Sequence, residues 1–412
     1  MLNAEDSRGG AAIATYRLHC GLRSIGVDSH LLVMNKHADD FTVIAPSPKT
    51  FFQRVLSRFF MRRDLHLSIQ YLAKGKNLFS PARCPDNLAQ RVSIYKPDVV
   101  QLFWMNSGFM KIESLKKLNK PIVWTLHDMW PFTGGCHYDD ECGKFKQSCG
   151  KCPLLDSENE HDLSRRVWER KRKSWRNLPI VVVATSYWLA EMARSSSLFK
   201  DQRIEVIPNG IDTNKYQPLD KRVARDACGL PQDKHLVLFS AFNVITDKRK
   251  GNQFLVQALK KMAEESWGEN TELVVIGASL PENPPDLGLK VHYMGHLSDE
   301  VSQVLLYAAA DVTVAPSMQE NLSNTVMESL SCGTPVVAFN IGGMPDMINH
   351  QQNGYLATPF EKDELAAGIM WVLGDRVRHD KLSQSARQTV IDRYSLQAVA
   401  HHYLALYESI LK

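Results

Sequence analysis

The sequence predicts an α/β protein of two doubly wound domains, and three observations carry that prediction. The chain has 412 residues, too many for one ordinary hydrophobic core. Short β-branched runs alternate with helical stretches along its whole length, in two successive series. Many of the runs are near-continuously apolar, as strands covered on both faces of a parallel sheet require.

In the first half the expected strands are VDSHLLVM, KPDVVQLFW, KPIVWTLHD and IVVVATS. In the second they are HLVLFSAF, TELVVIGAS, KVHYMG, ADVTVAPS and TPVVAFN. Amphipathic helices sit between them, GNQFLVQALKKMAEE among them. At the amino terminus only MLNAE precedes the glycine turn DSRGG. A doubly wound domain calls for a full strand there, so either the first strand is unusually short or the natural chain starts earlier. The join is expected near VIPNGIDTNKYQP, 206–218, where Pro208, Asn209 and Gly210 make a turn and a Pro-containing loop follows. The final SLQAVAHHYLALYESIL carries Leu and aromatic residues at helical spacing and reads as a terminal helix.

Composition excludes several classes. At 44% hydrophobic and 23% charged the chain is neither disordered nor fibrous. A net charge of +4 is too small for a nucleic-acid partner met by the whole surface. The start, MLNAEDSRGG, is polar and acidic, unlike a secretory signal. LPIVVVATSYWLA, the most apolar stretch, falls short of the roughly 20 apolar residues that span a bilayer. A cytosolic protein is therefore expected.

Four cysteines, Cys136, Cys142, Cys149 and Cys152, are spaced C-x5-C-x6-C-x2-C. They supply the thiolates of a tetrahedral, structural zinc site, and a reducing cytosol favours metal over disulfides. Four packed thiols or two labile disulfides are the alternatives. Cys20, Cys84, Cys228 and Cys332 are scattered.

Glu320 and Glu328 lie eight apart, after a strand and around the start of an expected helix. Ligands bind at such strand ends in open α/β sheets, and the N–H groups of Asn324 and Thr325 would point at an anion there. The plainer reading is a capping box, Thr325-x-x-Glu328. Gly9 and Gly10 open an alanine-rich helix, either as a tight turn or to let a phosphate or sugar approach. His127 ends the strand PIVWTLHD, with Asp128 as its orienting partner or as a cap. KTFFQRVLSRFFMRR, 49–63, sets apolar residues on one helical face and Arg54, Arg58 and Arg62 on its flank. Such a helix lies on an anionic membrane surface or packs on its own domain. SRRVWERKRKSWRN, 164–177, extends that basic patch or is a solvated face.

The run APS-x2-E-x7-E-SL-x-CGTPVVA-x3-GG-x-PD resembles the donor-sugar signature of retaining glycosyltransferases of family 4, which have the GT-B fold. YMGHLSDEVSQVLLYAAADVTVAPS, NGYLA and IPNGID resemble that family in order and spacing. The resemblance implies two Rossmann-like domains facing a cleft. It divides the chain into an acceptor-side domain, 1–203, with a cysteine-rich loop at 136–152, a nucleotide-sugar domain, 204–391, and a helix, 392–412, packing back on the first domain. It implies that Glu320 contacts the donor sugar with the backbone of Asn321, Leu322 and Ser323, and that Glu328 holds the ribose. Asn324 and Thr325 would meet the diphosphate, and so would Lys250 of DKRKG, which by itself reads as a solvated lysine in a basic run. Relatives carry G-R after the preceding strand, and here FSAFNVITDKRKG departs from that, with Arg249 as the substitute cation. Gly9 and Gly10 match the family's glycine loop, and His127 its cleft histidine.

Cysteine-bearing inserts after a WTLHD-like strand are similar to those of an exopolysaccharide branch of the family. The implied activity is transfer of a hexose-type sugar from a UDP- or GDP-sugar to a glycan acceptor, lipid-linked, in polysaccharide biosynthesis. No cofactor is required for catalysis, zinc being structural, and contact with the cytoplasmic face of the membrane is peripheral. Alternatives are another GT-B enzyme, a nucleotide-sugar epimerase or sugar phosphorylase, and a zinc-dependent nucleic-acid-binding protein.

Overall fold

The computed structural model describes residues 1–46, 59, 62, 66, 78–240, 248–282, 284, 286–297 and 299–412. Apart from Phe59 and Arg62, the basic amphipathic stretch at 49–63 lies outside them. The chain divides into two compact units, Met1–Pro208 with Ala400–Lys412, and Asn209–Val399. The first unit runs past residue 203 because Arg203–Val206 is a strand of its sheet.

All described strand pairs of the first unit are parallel. They are β1 (Leu31–Leu32), β2 (Val43–Ile44), β3 (Val100–Leu102), β4 (Ile122–Leu126), β5 (Ile180–Ala184) and β6 (Arg203–Val206). Met1–Ala4 completes the sheet between β1 and β3. The Leu2 N–H donates to the Gln101 carbonyl at 2.8 Å, and Leu32 N–H donates to the Met1 carbonyl at 2.9 Å. The order is β2-β1-Met1–Ala4-β3-β4-β5-β6. Its core is aromatic, with Trp124, Trp130, Trp175 and Phe199 in ring contact. The terminal helix Leu396–Leu411 brings Tyr403 and Tyr407 to this sheet. Tyr403 shares a 2.8 Å hydrogen bond with Thr125, and Tyr407 donates to Gln101 at 3.1 Å.

The second unit has one parallel sheet of six described strands, ordered β12-β11-β10-β7-β8-β9. These are β7 (His235–Ser240), β8 (Thr271–Ile276), β9 (Lys290–Tyr293), β10 (Val312–Ala315), β11 (Val336–Phe339) and β12 (Gly354–Ala357). Successive residues of one strand serve opposite layers. Leu236 and Leu238 pack with Leu306, Val326 and Val390, while Val237 and Phe239 pack with Leu255, Leu259 and Ile369. Helices therefore cover both faces, which is why the strands read as unbroken apolar runs. Among the described residues no helix is long and apolar enough to cross a membrane.

One buried group of the first unit makes a testable demand. His19, on the helix Gly10–Ser24, is wholly buried between the hydroxyls of Ser29 and Thr42, each at 2.8 Å. Burial, aided by the nearby amino terminus, pulls its pKa down to about 4. Between about pH 4 and 6.5 the unfolded chain then binds the proton that the folded ring refuses, so stability is lost as pH falls through that window. Urea unfolding at pH 7 and pH 4.5 should show a loss on the order of 2–3 kcal/mol from this group. His19→Gln should flatten the slope by about one proton.

Candidate active site

The carboxyl ends of β7 and β10 carry the residues that the sequence singles out in the second unit. After β10 the chain enters Pro316–Ser323, and this loop is gripped from two sides. On one side Lys248–Lys250 form a single 3-10 turn, and Met318 N–H donates to the Arg249 carbonyl at 2.7 Å. Gly251 follows at φ +71°, and a Cβ there would lie 1.8 Å from the Pro316 carbonyl oxygen. On the other side a Cβ on Gly342 would lie 2.0 Å from the Glu320 carbonyl oxygen, which accepts from Gly343 N–H at 3.1 Å. Glycine at 251 and 342 is therefore a condition for the loop to sit where it does.

The grip brings two charges together. Lys250 Nζ donates to Glu320 Oε2 at 2.6 Å, and both residues are half-buried. Outside the motif context Lys250 reads as a solvated lysine; in the structure it is half of this ion pair. A lysine facing a carboxylate at a strand end can exchange that partner for a phosphate as a point charge.

Glu328 is positioned by the helix Asn324–Ser331. Ser323 is its N-cap, accepting from Val326 N–H at 3.4 Å. The capping-box alternative is therefore corrected: Thr325 lies inside the helix, and Glu328 is in its second turn. Its carboxylate is buried and accepts from the Tyr307 hydroxyl at 3.0 Å. Burial first, and then the Glu328 charge, push the Tyr307 phenol well above its ordinary pKa. Asn321, Leu322 and Ser323 are buried, with Leu322 in the core. Asn324 and Thr325 occupy the first helical turn, whose N–H groups favour an anion. Residues 241–247, where the missing G-R would fall, lie outside the described residues.

Gly9, Gly10 and His127 belong to the first unit. Gly9, at φ +91°, precedes the helix Gly10–Ser24. His127 is half-buried at the end of β4, stacked on Phe103 with ring centres 5.9 Å apart. Of the two roles expected of Asp128, orienting partner of His127 or cap, its contacts are those of a cap at the start of the 3-10 turn Trp130–Phe132. Its carboxylate accepts from Trp130 N–H at 2.9 Å and Trp104 Nε1–H at 3.0 Å, and pairs with His137 Nδ1 at 2.6 Å. Burial alone would raise the Asp128 pKa, but the His137 imidazole and these donors hold it below the usual value. His137 Nε2 in turn meets Ser80 Oγ at 2.9 Å. His137 was not foreseen, and its place one residue from Cys136 in the cysteine cluster was the only available signal.

The four clustered cysteines are all reduced, with Cys136 and Cys152 buried. Among the described residues no group of three or more His, Cys, Asp or Glu side chains is arranged to hold a metal ion. Zinc has no part in the reaction proposed for this chain. Burial pushes the Cys149 thiol up to about 12 and Cys136 well above its ordinary value. The loop is braced by other means. Cys152 N–H donates to Asp162 at 2.8 Å, and Gly150 N–H donates to Ser164 at 2.9 Å. Lys171, wholly buried, donates to the carbonyls of Trp130 and Thr133, and its ammonium lies 3.7 Å from the Trp130 ring centre. The basic run at 164–177 is thus no uniform patch. Lys171 is internal, and Arg170 pairs with Glu113 at 2.7 Å while donating to the Pro81 and Ala82 carbonyls.

Several known proteins are similar to this chain. An MMP α-(1→4)-mannosyltransferase of Mycolicibacterium hassiacum is 27% identical over 251 residues, 59% of this chain and 57% of that protein. The chain spans about half to three fifths of the length of the curated relatives it matches. Among solved structures, a sucrose-phosphate synthase from Thermosynechococcus elongatus has a TM-score of 0.68 at 20% identity, covering 99% of this chain and 98% of that one. Anabaena HepE in complex with UDP has a TM-score of 0.63 at 18% identity, with coverage of 99% and 98%. These likenesses show the GT-B fold. Residues 234–375, with the Lys250–Glu320 pair and Glu328, match the model described as Glycosyl transferases group 1. Residues 8–215, half of the chain, match the model described as Glycosyltransferase Family 4, and the chain belongs to that family.

Proposed function

We propose that this chain is a retaining glycosyltransferase that moves a hexose-type sugar from a UDP- or GDP-sugar to a glycan acceptor, lipid-linked, in polysaccharide assembly. The observation that carries the reading is the Lys250–Glu320 pair, clamped at the strand ends beside the helix that bears Glu328. In the proposed reaction the bond from the sugar's anomeric carbon to the diphosphate oxygen breaks. A bond to the acceptor oxygen forms on the same face, and the acceptor's proton passes to the departing diphosphate. Lys250 and the first-turn N–H groups at Asn324 and Thr325 neutralise the charge growing on that diphosphate. Glu320, released by Lys250, accepts from sugar hydroxyls, with the backbone of Asn321 to Ser323 beside it. Glu328 accepts from the ribose. His127 orients the donor or stabilises positive charge on the sugar, and Gly9 and Gly10 admit phosphate or sugar to the first unit. HepE, a neighbour in fold, is described in complex with UDP, and the mannosyltransferase relative supports a hexose. The proposed location is the cytoplasm, with peripheral membrane contact through residues 49–63.

The pairing yields a prediction of opposite signs. Glu320→Gln frees Lys250 from its counter-charge, so the variant should bind UDP or GDP alone several-fold tighter while losing transfer. Calorimetry with the free nucleotide and turnover with the nucleotide sugar check the two arms. The reading as a whole is tested by a thermal-shift screen of UDP- and GDP-sugars. NMR of the product formed from the stabilising donor then reads the anomeric configuration: retention is expected, and inversion or epimerised donor would overturn it.

A further inference from the structure

Tyr307 has a place in the second unit that packing does not explain. It lies on the helix Glu300–Ala309 and is fully buried among Leu306, Val326 and Leu330. A phenylalanine would fill the same volume. The hydroxyl nevertheless reaches across to the next helix and donates to Glu328 Oε2 at 3.0 Å. The backbone beneath it is fixed as well, since Thr334 Oγ1 donates to the Tyr307 carbonyl at 2.7 Å. A buried tyrosine hydroxyl needs a polar partner, and a buried carboxylate needs a donor.

We propose that Tyr307 is a positioning residue for nucleotide recognition: its hydroxyl fixes the plane of the Glu328 carboxylate so that the carboxylate is preset to receive the ribose hydroxyls of the donor. The assignment rests on the donor-site reading of Glu328. Fixing one carboxylate oxygen by a charge-assisted hydrogen bond fixes the side chain's last torsion, which is otherwise broad. The phenol remains protonated across the working pH range, because burial and the Glu328 charge both oppose its ionisation. Tyr307 therefore acts as donor to Glu328, the direction the hydrogen bond takes.

The test compares ribonucleotides with nucleotides that lack the hydroxyls. Affinities of wild type, Tyr307→Phe and Glu328→Gln are measured for UDP and GDP and for their 2′,3′-dideoxy forms. Because the ribo-to-dideoxy ratio is read within one preparation, a partial loss of folded protein cancels. Wild type should prefer whichever ribonucleotide it binds. Tyr307→Phe should lose about tenfold on that ribonucleotide, the scale of one hydrogen bond to a charged group. It should leave the dideoxy form within about twofold, and in turnover KM should rise while kcat changes little. Equal losses on both forms would make Tyr307 merely structural, and no loss on either would remove it from recognition; each overturns the proposal. Should wild type bind neither nucleotide, or Glu328→Gln keep the full ribose preference, the donor-site reading falls and this assignment falls with it.

Discussion

Lys250→Ala is expected to lower kcat/KM for the nucleotide-sugar donor about 10²–10³-fold, the scale of removing one preorganised charge from a developing oxyanion. The same change should barely touch stability. The Lys250–Glu320 pair is a single, partly exposed contact, with side chains 27% and 13% exposed, so solvent screens it. Pairs of that kind contribute about 0–1 kcal/mol. The two magnitudes separate a catalytic part from a structural one. A lysine that merely tied the loop would lose stability and activity in step. A lysine that meets the leaving diphosphate would lose activity with its unfolding midpoint nearly unchanged. Lys250→Arg is expected to recover only part of the loss, because a planar guanidinium does not reproduce a compact ammonium at a site shaped around one. Steady-state kinetics together with urea unfolding read both quantities.

Gly251→Ala is the second large effect, and it acts through the backbone. At φ +71° any L residue carries strain of about 1–2 kcal/mol. The added Cβ would also stand 1.8 Å from the Pro316 carbonyl oxygen, inside any van der Waals contact. Neither atom is a flexible side-chain end, so Lys248–Gly251 and Pro316–Glu320 must separate. Including the displaced loop, a cost of about 3 kcal/mol or more is expected, on the order of 10 °C in the melting temperature of the second unit. Activity should fall with it, since the separation pulls Lys250 from the position that Glu320 now marks. Calorimetric melting and donor turnover of the variant check this, and an unchanged melting temperature would contradict the clamp.

What the sequence revealed follows from where burial lies. Interior strands such as His235–Ser240 and Val312–Ala315 are covered on both faces and appear as apolar runs. Of the four described edge strands, Lys290–Tyr293 was expected, while Val43–Ile44, Arg203–Val206 and Gly354–Ala357 are absent from the expected set. Two or four residues long and covered by fewer neighbours, they carry no such run. Met1–Ala4, which lies between two strands, was legible only as one of two alternatives, because so few residues carry no apolar run. The two glutamates were legible because their spacing to a strand end and a helix start is local. Partners set by distant segments were not. Asp128 could not be assigned to His137 without the folding back of the loop that bears it. Tyr307 was hidden because a tyrosine in an apolar helical run reads as core. For the cysteines the spacing pointed to zinc, and the further bracing of the loop by Asp162, Ser164 and Lys171 was not legible, because those partners follow the cluster in sequence.

The central claim is that the second unit's Lys250, Glu320 and Glu328 form a nucleotide-sugar site. Incubation of the purified protein with UDP- and GDP-sugars, followed by assay of released nucleoside diphosphate, tests it most directly. The expected result is slow release from one nucleotide class, lost in Glu328→Ala. Equal release by the variant, or no nucleotide-sugar binding alongside tight binding of DNA or RNA, would contradict it.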